Sequence, residues 1–223
     1  MTNAAFLARA ADAPEPAADG NPGRTPTYTR AEPDARRLSL IEACARVLAR
    51  SGSAGASVRA IAQEAGVSAG LIGHHFGGVD ALVAATYAHI DATVTATLDD
   101  ALAQAGAAPR ARLEAFVTAS FAAPIADPAL LATWIAFWGL VGARTDIARQ
   151  HDEQYAGYRA RLEALLADCG VAAGQLRLSA IAIAALVDGL WLELCLSPGC
   201  FSAAEAGAIA RRHIDALTSP DRE

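Results

Sequence analysis

Two groups of residues in this sequence have types and spacings that can do chemistry. The first is aromatic and acidic. Trp134 and Trp138 recur at i,i+4, with Phe137 on a neighbouring face, and Tyr155 and Tyr158 recur at i,i+3. Asp188 stands inside the apolar run Leu178 to Leu196, one helical turn before Trp191. Aromatic faces attract organic cations by about 0.5–2 kcal/mol per ring once desolvated, and a carboxylate in an apolar setting needs a partner. Such a set could hold a quaternary ammonium ion. Aromatic residues at helical spacing also build cores and dimer seams, and periodicity alone does not separate these uses.

The second group lies between Val58 and Phe76. Ala65-Gly66-Val67-Ser68 joins two short helical stretches. Ala62 is small enough for the helices to approach closely, and Gly66 can take the positive φ that a sharp turn requires. Val67, Ile72, Ile61 and Phe76 would plug a small core beneath. This is the helix-turn-helix pattern, whose second helix enters the major groove of DNA. Ser68, Ala69, Leu71 and His74 fall on its exposed side and are candidates for reading base edges. Arg36, Arg37, Ser57, Arg59 and His75 are candidates for the phosphate contacts that position the protein. His74 and His75 are adjacent, so on a helix they point about 100° apart and would chelate a metal poorly. No metal, cofactor or catalytic residue is expected. The chain shows no Ser-His-Asp elbow, no HExxH and no Gly-rich phosphate loop.

The elements that must carry these residues read as helices throughout. Five of the ten prolines fall in residues 1–33, which are expected to be a disordered tail. A first helix is expected from Asp34 to Ser51, with Leu38, Ile41, Ala45 and Leu48 as its apolar stripe and Gly52 as its end. Ser57 and Ser68 are cap candidates for the two short helices. Gly77-Gly78 precede a long helix, from about Val79 to Ala105, with a core side of Leu82, Ile90, Val94, Leu98 and Leu102. Five more helices are expected: from Pro109, from Asp127-Pro128, from Thr145 to Cys169, from Gln175 to Ser197, and from Ser202 to near Leu217. Alternating strand patterns are absent. The fold class is therefore all-α, with a helix-turn-helix domain expected over 34–80 and a helical bundle carrying the aromatic and acidic set over 81–223.

Charge agrees with that division. The net charge is −6 and every basic residue is arginine, so non-specific binding to nucleic acid is not expected of the chain as a whole. Residues 30–80 carry six arginines against five acids and form the only segment that is not net acidic. The four cysteines lack CxxC spacing and fit free thiols in a reducing cytoplasm. Asp188 and Glu193 interrupt the most apolar stretch, which reads as a buried helix rather than a membrane span.

The string Gly66-Val67-Ser68-Ala69-Gly70-Leu71-Ile72-Gly73-His74-His75-Phe76, followed by Leu82, resembles the DNA-binding domain of the TetR family of transcriptional repressors. Ala132 to Phe137 with Trp138, and Ala185 to Leu192, are similar to the ligand domain of its BetI-type branch of choline-responsive repressors. The resemblance covers about residues 36–215. It makes the bundle over 81–223 a ligand and dimerisation domain, and implies a homodimer on a palindromic DNA operator, released by a small-molecule effector. It also implies that the last two helices of each subunit form a four-helix dimer bundle, here burying Ile183, Leu186, Leu190, Leu194, Ile209 and Leu217. Two positions depart from the family. Val79 replaces a lysine that meets a phosphate, and Gly73 replaces a tyrosine that touches the DNA backbone. Glu193 also replaces a position that is often basic in the branch.

Overall fold

The structure is a computed structural model and describes residues 31–219. Most of the expected tail, residues 1–30, lies outside the described residues. Those described form nine α-helices and one short 3-10 turn, with no strand among them. The first helix, α1 (Ala31–Gly55), starts three residues earlier than its sequence pattern suggests. It is broken at Gly52, where φ is 63°. The helix-turn-helix pair is α2 (Val58–Glu64) and α3 (Gly70–Phe76), and α4 (Val79–Gln104) follows.

The turn between α2 and α3 follows from its residues. Gly66 has φ +66°, Val67 N–H donates to Ala62 O (2.9 Å), and Gly66 N–H donates to Gln63 O (3.2 Å). This is a Schellman motif, which satisfies the last carbonyls of α2 and needs a left-handed residue at its second position. Ser57 caps α2 through its hydroxyl, which accepts from Ala60 N–H. Ser68 does not cap α3. Ala69 already has helical angles at that start, and the Ser68 side chain stays exposed.

The core side of α1 also differs from the expected stripe. Leu40, Ala43, Cys44, Val47 and Leu48 are buried, Ile41 and Ala45 are half-buried, and Leu38 is 41% exposed. The reason is that α1 is covered on more than one side. It packs on α2 and α4 and also along α6, so its apolar residues do not form one stripe.

The body of the molecule is built from α4, α5 (Pro109–Thr118), a 3-10 turn at Ala119–Phe121, α6 (Pro128–Val141), α7 (Thr145–Asp168), α8 (Ala173–Leu196) and α9 (Ala203–Thr218). Asp127 caps α6 by accepting from Ala129 N–H at 2.8 Å, and Ser202 with Glu205 forms a reciprocal capping box on α9. Leu82, Ile90, Val94 and Leu98 of α4 are buried as expected. Among the described residues, α8 is the one helix long and apolar enough to cross a membrane. Its Ala180, Ile183, Val187 and Trp191 are buried in the bundle.

Two devices join head to body. Arg144, between α6 and α7, reaches the first turn of α4. It donates to Asp80 Oδ1 (2.8 Å) and Asp80 O (3.0 Å) and grips Asp146 with both Nε and Nη2. The second is α6 itself. Buried Thr133 donates to Ala129 O (2.7 Å) in its own helix and to Ala45 O (3.3 Å) in α1, while Trp134 faces the interior of the body.

Candidate nucleic-acid interface and effector cavity

The helix-turn-helix presents one exposed surface. Ser68, Ala69, Gly70, Gly73 and His74 are exposed and Leu71 and His75 half-buried, while Ile72 holds α3 down at 0% exposure. Pro33, Arg36, Gly66, Ser68, Leu71, His74 and His75 border one shallow groove. Arg59 is exposed on α2. Three sequence candidates for base reading, Ser68, Leu71 and His74, thus share a face with Arg36 beside them, while Ala69 is exposed but does not border the groove. Burial first, then the positive neighbours His74, Arg37 and Arg36, holds His75 below the usual histidine range. At neutral pH His75 therefore offers a neutral hydrogen-bonding ring.

Arg37 is placed differently from Arg36. Its guanidinium lies 4.3 Å over the Phe76 ring and donates to the His75 carbonyl. Both contacts are with the last turn of α3, so within the chain Arg37 acts as a clip between α1 and the recognition helix. A second clip joins α1 to α2. Arg46 Nε and Arg50 Nη2 bind the two oxygens of Glu64 at 2.7 and 3.0 Å. Arg46 foremost keeps the Glu64 carboxyl below its ordinary range.

In the body, a cavity of about 400 Å³ opens between α4, α6, α7 and α8. Trp134, Tyr155, Tyr158, Asp188 and Trp191 all line it. Trp134 and Trp191 stack with ring centroids 6.4 Å apart, and Trp191 Nε1–H donates to Ser120 O at 2.9 Å. Tyr155 donates to Asp188 Oδ1 at 2.9 Å. Burial pushes the Asp188 carboxyl up to about 6, against the pull of the Tyr155 hydrogen bond and of Arg159. Trp134 Nε1 and Tyr158 Oη are buried without a hydrogen-bond partner.

Two sequence candidates fall elsewhere. Phe137 is fully buried and packs edge-on against Tyr87 (4.9 Å) and Trp134 (6.1 Å), so it belongs to the core behind the cavity wall. Trp138 faces a separate open cleft with His151, Gly189 and Leu192; Tyr155 and Asp188 border both spaces. Residues that the sequence reading missed also line the cavity, among them Asp91, Thr95 and Leu98 of α4, Ser120, and Glu153, Gln154 and Arg161 of α7. Asp91 could have been found, since it follows Tyr87 by four residues and precedes Leu98 by seven on the buried flank of α4. Tyr87 donates to Gln154 Oε1, tying α4 to α7 beside the cavity.

The residues expected at a dimer seam differ in their exposure within one chain. Ile183 is 1% exposed inside the chain's own core, and Leu186, Leu190, Leu194 and Leu217 are half-buried. The outward apolar residues are Leu178, Ile181 and Leu196 on α8 and Ile209 on α9, with exposed Ala182, Ala185 and Gly189 between them.

Comparison with known proteins agrees with both halves. Residues 40–86 match the family described as bacterial regulatory proteins, tetR family, and residues 109–219 match the BetI-type transcriptional repressor C-terminal family. An HTH-type transcriptional regulator BetI of Burkholderia thailandensis is 34% identical over 187 residues, covering 83% of this chain and 94% of that protein. A crystal structure of a transcriptional regulator from Pseudomonas aeruginosa PAO1 has a TM-score of 0.77 and 45% identity, over 85% of this chain and 93% of that one. A regulator from Saccharomonospora viridis, solved in complex with choline, shares the fold at a TM-score of 0.70 and 19% identity, over 82% of this chain and 96% of that one. With a helix-turn-helix head, a cavity in its helical body and relatives matched along most of its length, the chain belongs to the BetI-type branch of the TetR family of transcriptional repressors.

Proposed function

We propose that two copies of this repressor bind a palindromic operator and release it when a small organic cation of the choline kind fills the cavity in the body. The carrying observation is the cavity's composition. Four aromatic residues and the Asp188 carboxylate meet around one space, and Asp188 has no ion-pair partner among the described residues. A cation there gains from ring faces and carboxylate together. The unpartnered Trp134 Nε1 and Tyr158 Oη support the reading, because buried polar atoms are rarely left unmatched unless something else completes the site.

On DNA, Ser68, Ala69, Leu71 and His74 read base edges in the major groove. Arg36, Arg59, His75 and the N-terminus of α2 at Ser57 bind phosphates. The outer faces of α8 and α9 pack against the same faces of a second copy, setting the distance between the two α3 helices. Filling the cavity moves α6, and through Thr133 and Arg144 it moves α1 and the start of α4. This favours a spacing that no longer fits the operator. The protein works where the chromosome is, in the bacterial cytoplasm.

The test is to select duplexes from a random library with the purified protein, then titrate choline into the complex by fluorescence anisotropy. A selected palindrome and choline-dependent release are expected, with Asp188→Asn releasing only at much higher choline. Failure to enrich any palindrome, or release unaffected by Asp188→Asn, contradicts the reading.

A further inference from the structure

The cavity holds a second half-buried acid that a single ammonium does not explain. Asp91, on α4, lines the same space as Asp188, on α8; a third acid of the lining, Glu153 on α7, is exposed. Adjacent residues of α7 serve the two carboxylates. Gln154 stands beside Asp91 and holds its carboxyl down against burial, and Tyr155 donates to Asp188 Oδ1 at 2.9 Å. Neither acid has an ion-pair partner among the described residues. The one arginine in the wall, Arg161, is paired with Asp99 and lies 4.8 Å over the Phe116 ring. Burial pushes both carboxyls up. They stand on different helices around one space and offer two places for positive charge.

Hydrogen bonding points the same way, and size permits it. About 400 Å³ accommodates about a dozen non-hydrogen atoms at roughly 30 Å³ each, the share of a liquid water molecule, which admits choline and the short diamines alike. Tyr158 Oη is buried, unpartnered and within the field of Asp188. A phenol oxygen accepts from an N–H donor, which a primary ammonium has and a quaternary ammonium lacks.

Resting on the reading of this cavity as the effector site, we infer that its preferred occupant is a linear dication, an α,ω-diamine, with one ammonium at Asp188 and Tyr158 and the other at Asp91. The aliphatic chain between them lies along Val94, Leu98, Trp134 and Trp191. The second ammonium acts directly on α4, the helix whose first turn follows the recognition helix.

The experiment compares n-pentylamine, choline, spermidine and the α,ω-diamines from three to six carbons. It uses the full chain bound to its selected operator, with thermal shift of the free protein as a second readout. One diamine length is expected to release operator at a concentration at least tenfold below that of n-pentylamine, with a clear optimum in chain length and no further gain from the third charge of spermidine. Asp91→Asn is expected to erase the difference between diamine and monoamine, whereas Asp188→Asn weakens choline and diamines alike. If choline acts and no diamine exceeds n-pentylamine, the dication is wrong and the effector site stands. If no compound, choline included, causes release or a thermal shift, both are wrong. Should Asp91→Asn fail to fold, the chain-length optimum in the unaltered protein decides the matter.

Discussion

Replacing Arg37 with alanine separates two jobs that an arginine beside DNA can have. The structure gives its guanidinium two contacts with the end of α3, a hydrogen bond to the His75 carbonyl and a position 4.3 Å over Phe76. A hydrogen bond from a charged donor contributes about 1.5–3 kcal/mol, and an exposed cation–π contact about 0.5–1 kcal/mol. Arg37 is exposed, so solvent screening takes the sum to the lower end, about 1–2 kcal/mol, equivalent to about five- to thirtyfold in affinity for each recognition helix it holds. The assay is operator affinity by anisotropy across a series of salt concentrations. Each phosphate contact contributes about 0.9 to the slope of log K against log salt. Arg37→Ala is expected to weaken binding while leaving the slope unchanged, because a clip within the protein releases no counterions. Arg36→Ala is expected to flatten the slope by about 0.9 per subunit. A flattening by Arg37→Ala equal to that of Arg36→Ala refutes the clip and returns Arg37 to the phosphate backbone.

Other expectations follow from the same contacts. Asp188 titrates near 6 when folded and near 3.8 when unfolded, so the empty protein takes up a proton on folding between those values and loses stability as pH rises through them. Denaturant melts of wild type and Asp188→Asn should therefore diverge by up to about 3 kcal/mol across that window, and parallel curves would count against a buried carboxyl. Affinity for a cation should rise about tenfold from pH 5 to pH 7, as Asp188 ionises through about 6, and a flat binding profile would exclude Asp188 from the site. Gly66→Ala meets no neighbour within 4 Å, so its cost is the left-handed backbone alone, about 1–2 kcal/mol by thermal melt; an unchanged melt would deny the turn its strain. Arg144→Ala should leave operator binding in place but raise the effector concentration needed for release, and unaltered release would remove Arg144 from the route between body and head.

How much of this was legible in the sequence depended on how many sides of each helix are covered. The turn at Gly66 and the caps at Ser57, Asp127 and Ser202 are local chemistry, and they appear where their residue types place them. Asp188 was legible because a carboxylate is conspicuous in an apolar run. Asp91 had only the weaker signal of its register with Tyr87 and Leu98, because α4 carries several polar residues and the position of α7 makes this one interior. Phe137 and Trp134 are three residues apart on one helix, and the pattern could not say that Trp134 borders a space while Phe137 fills one. The stripe of α1 and the outward face of α8 failed for a related reason. Each helix has apolar residues on more than one side, and tertiary packing decides which side meets the chain's own core.

Thr133 and Trp134 are neighbours in sequence, and they address different sides of α6: one touches the main chain of α1, the other walls the chamber. Information about what occupies the interior thus has only the thickness of a single helix to travel. Packed helices shift as rigid bodies rather than compress, so displacement of the indole arrives at α1 without a relay of loops. Side chains on α4, α7 and α8 can then be exchanged to admit a different molecule while α6 and the geometry of the reading head stay as they are.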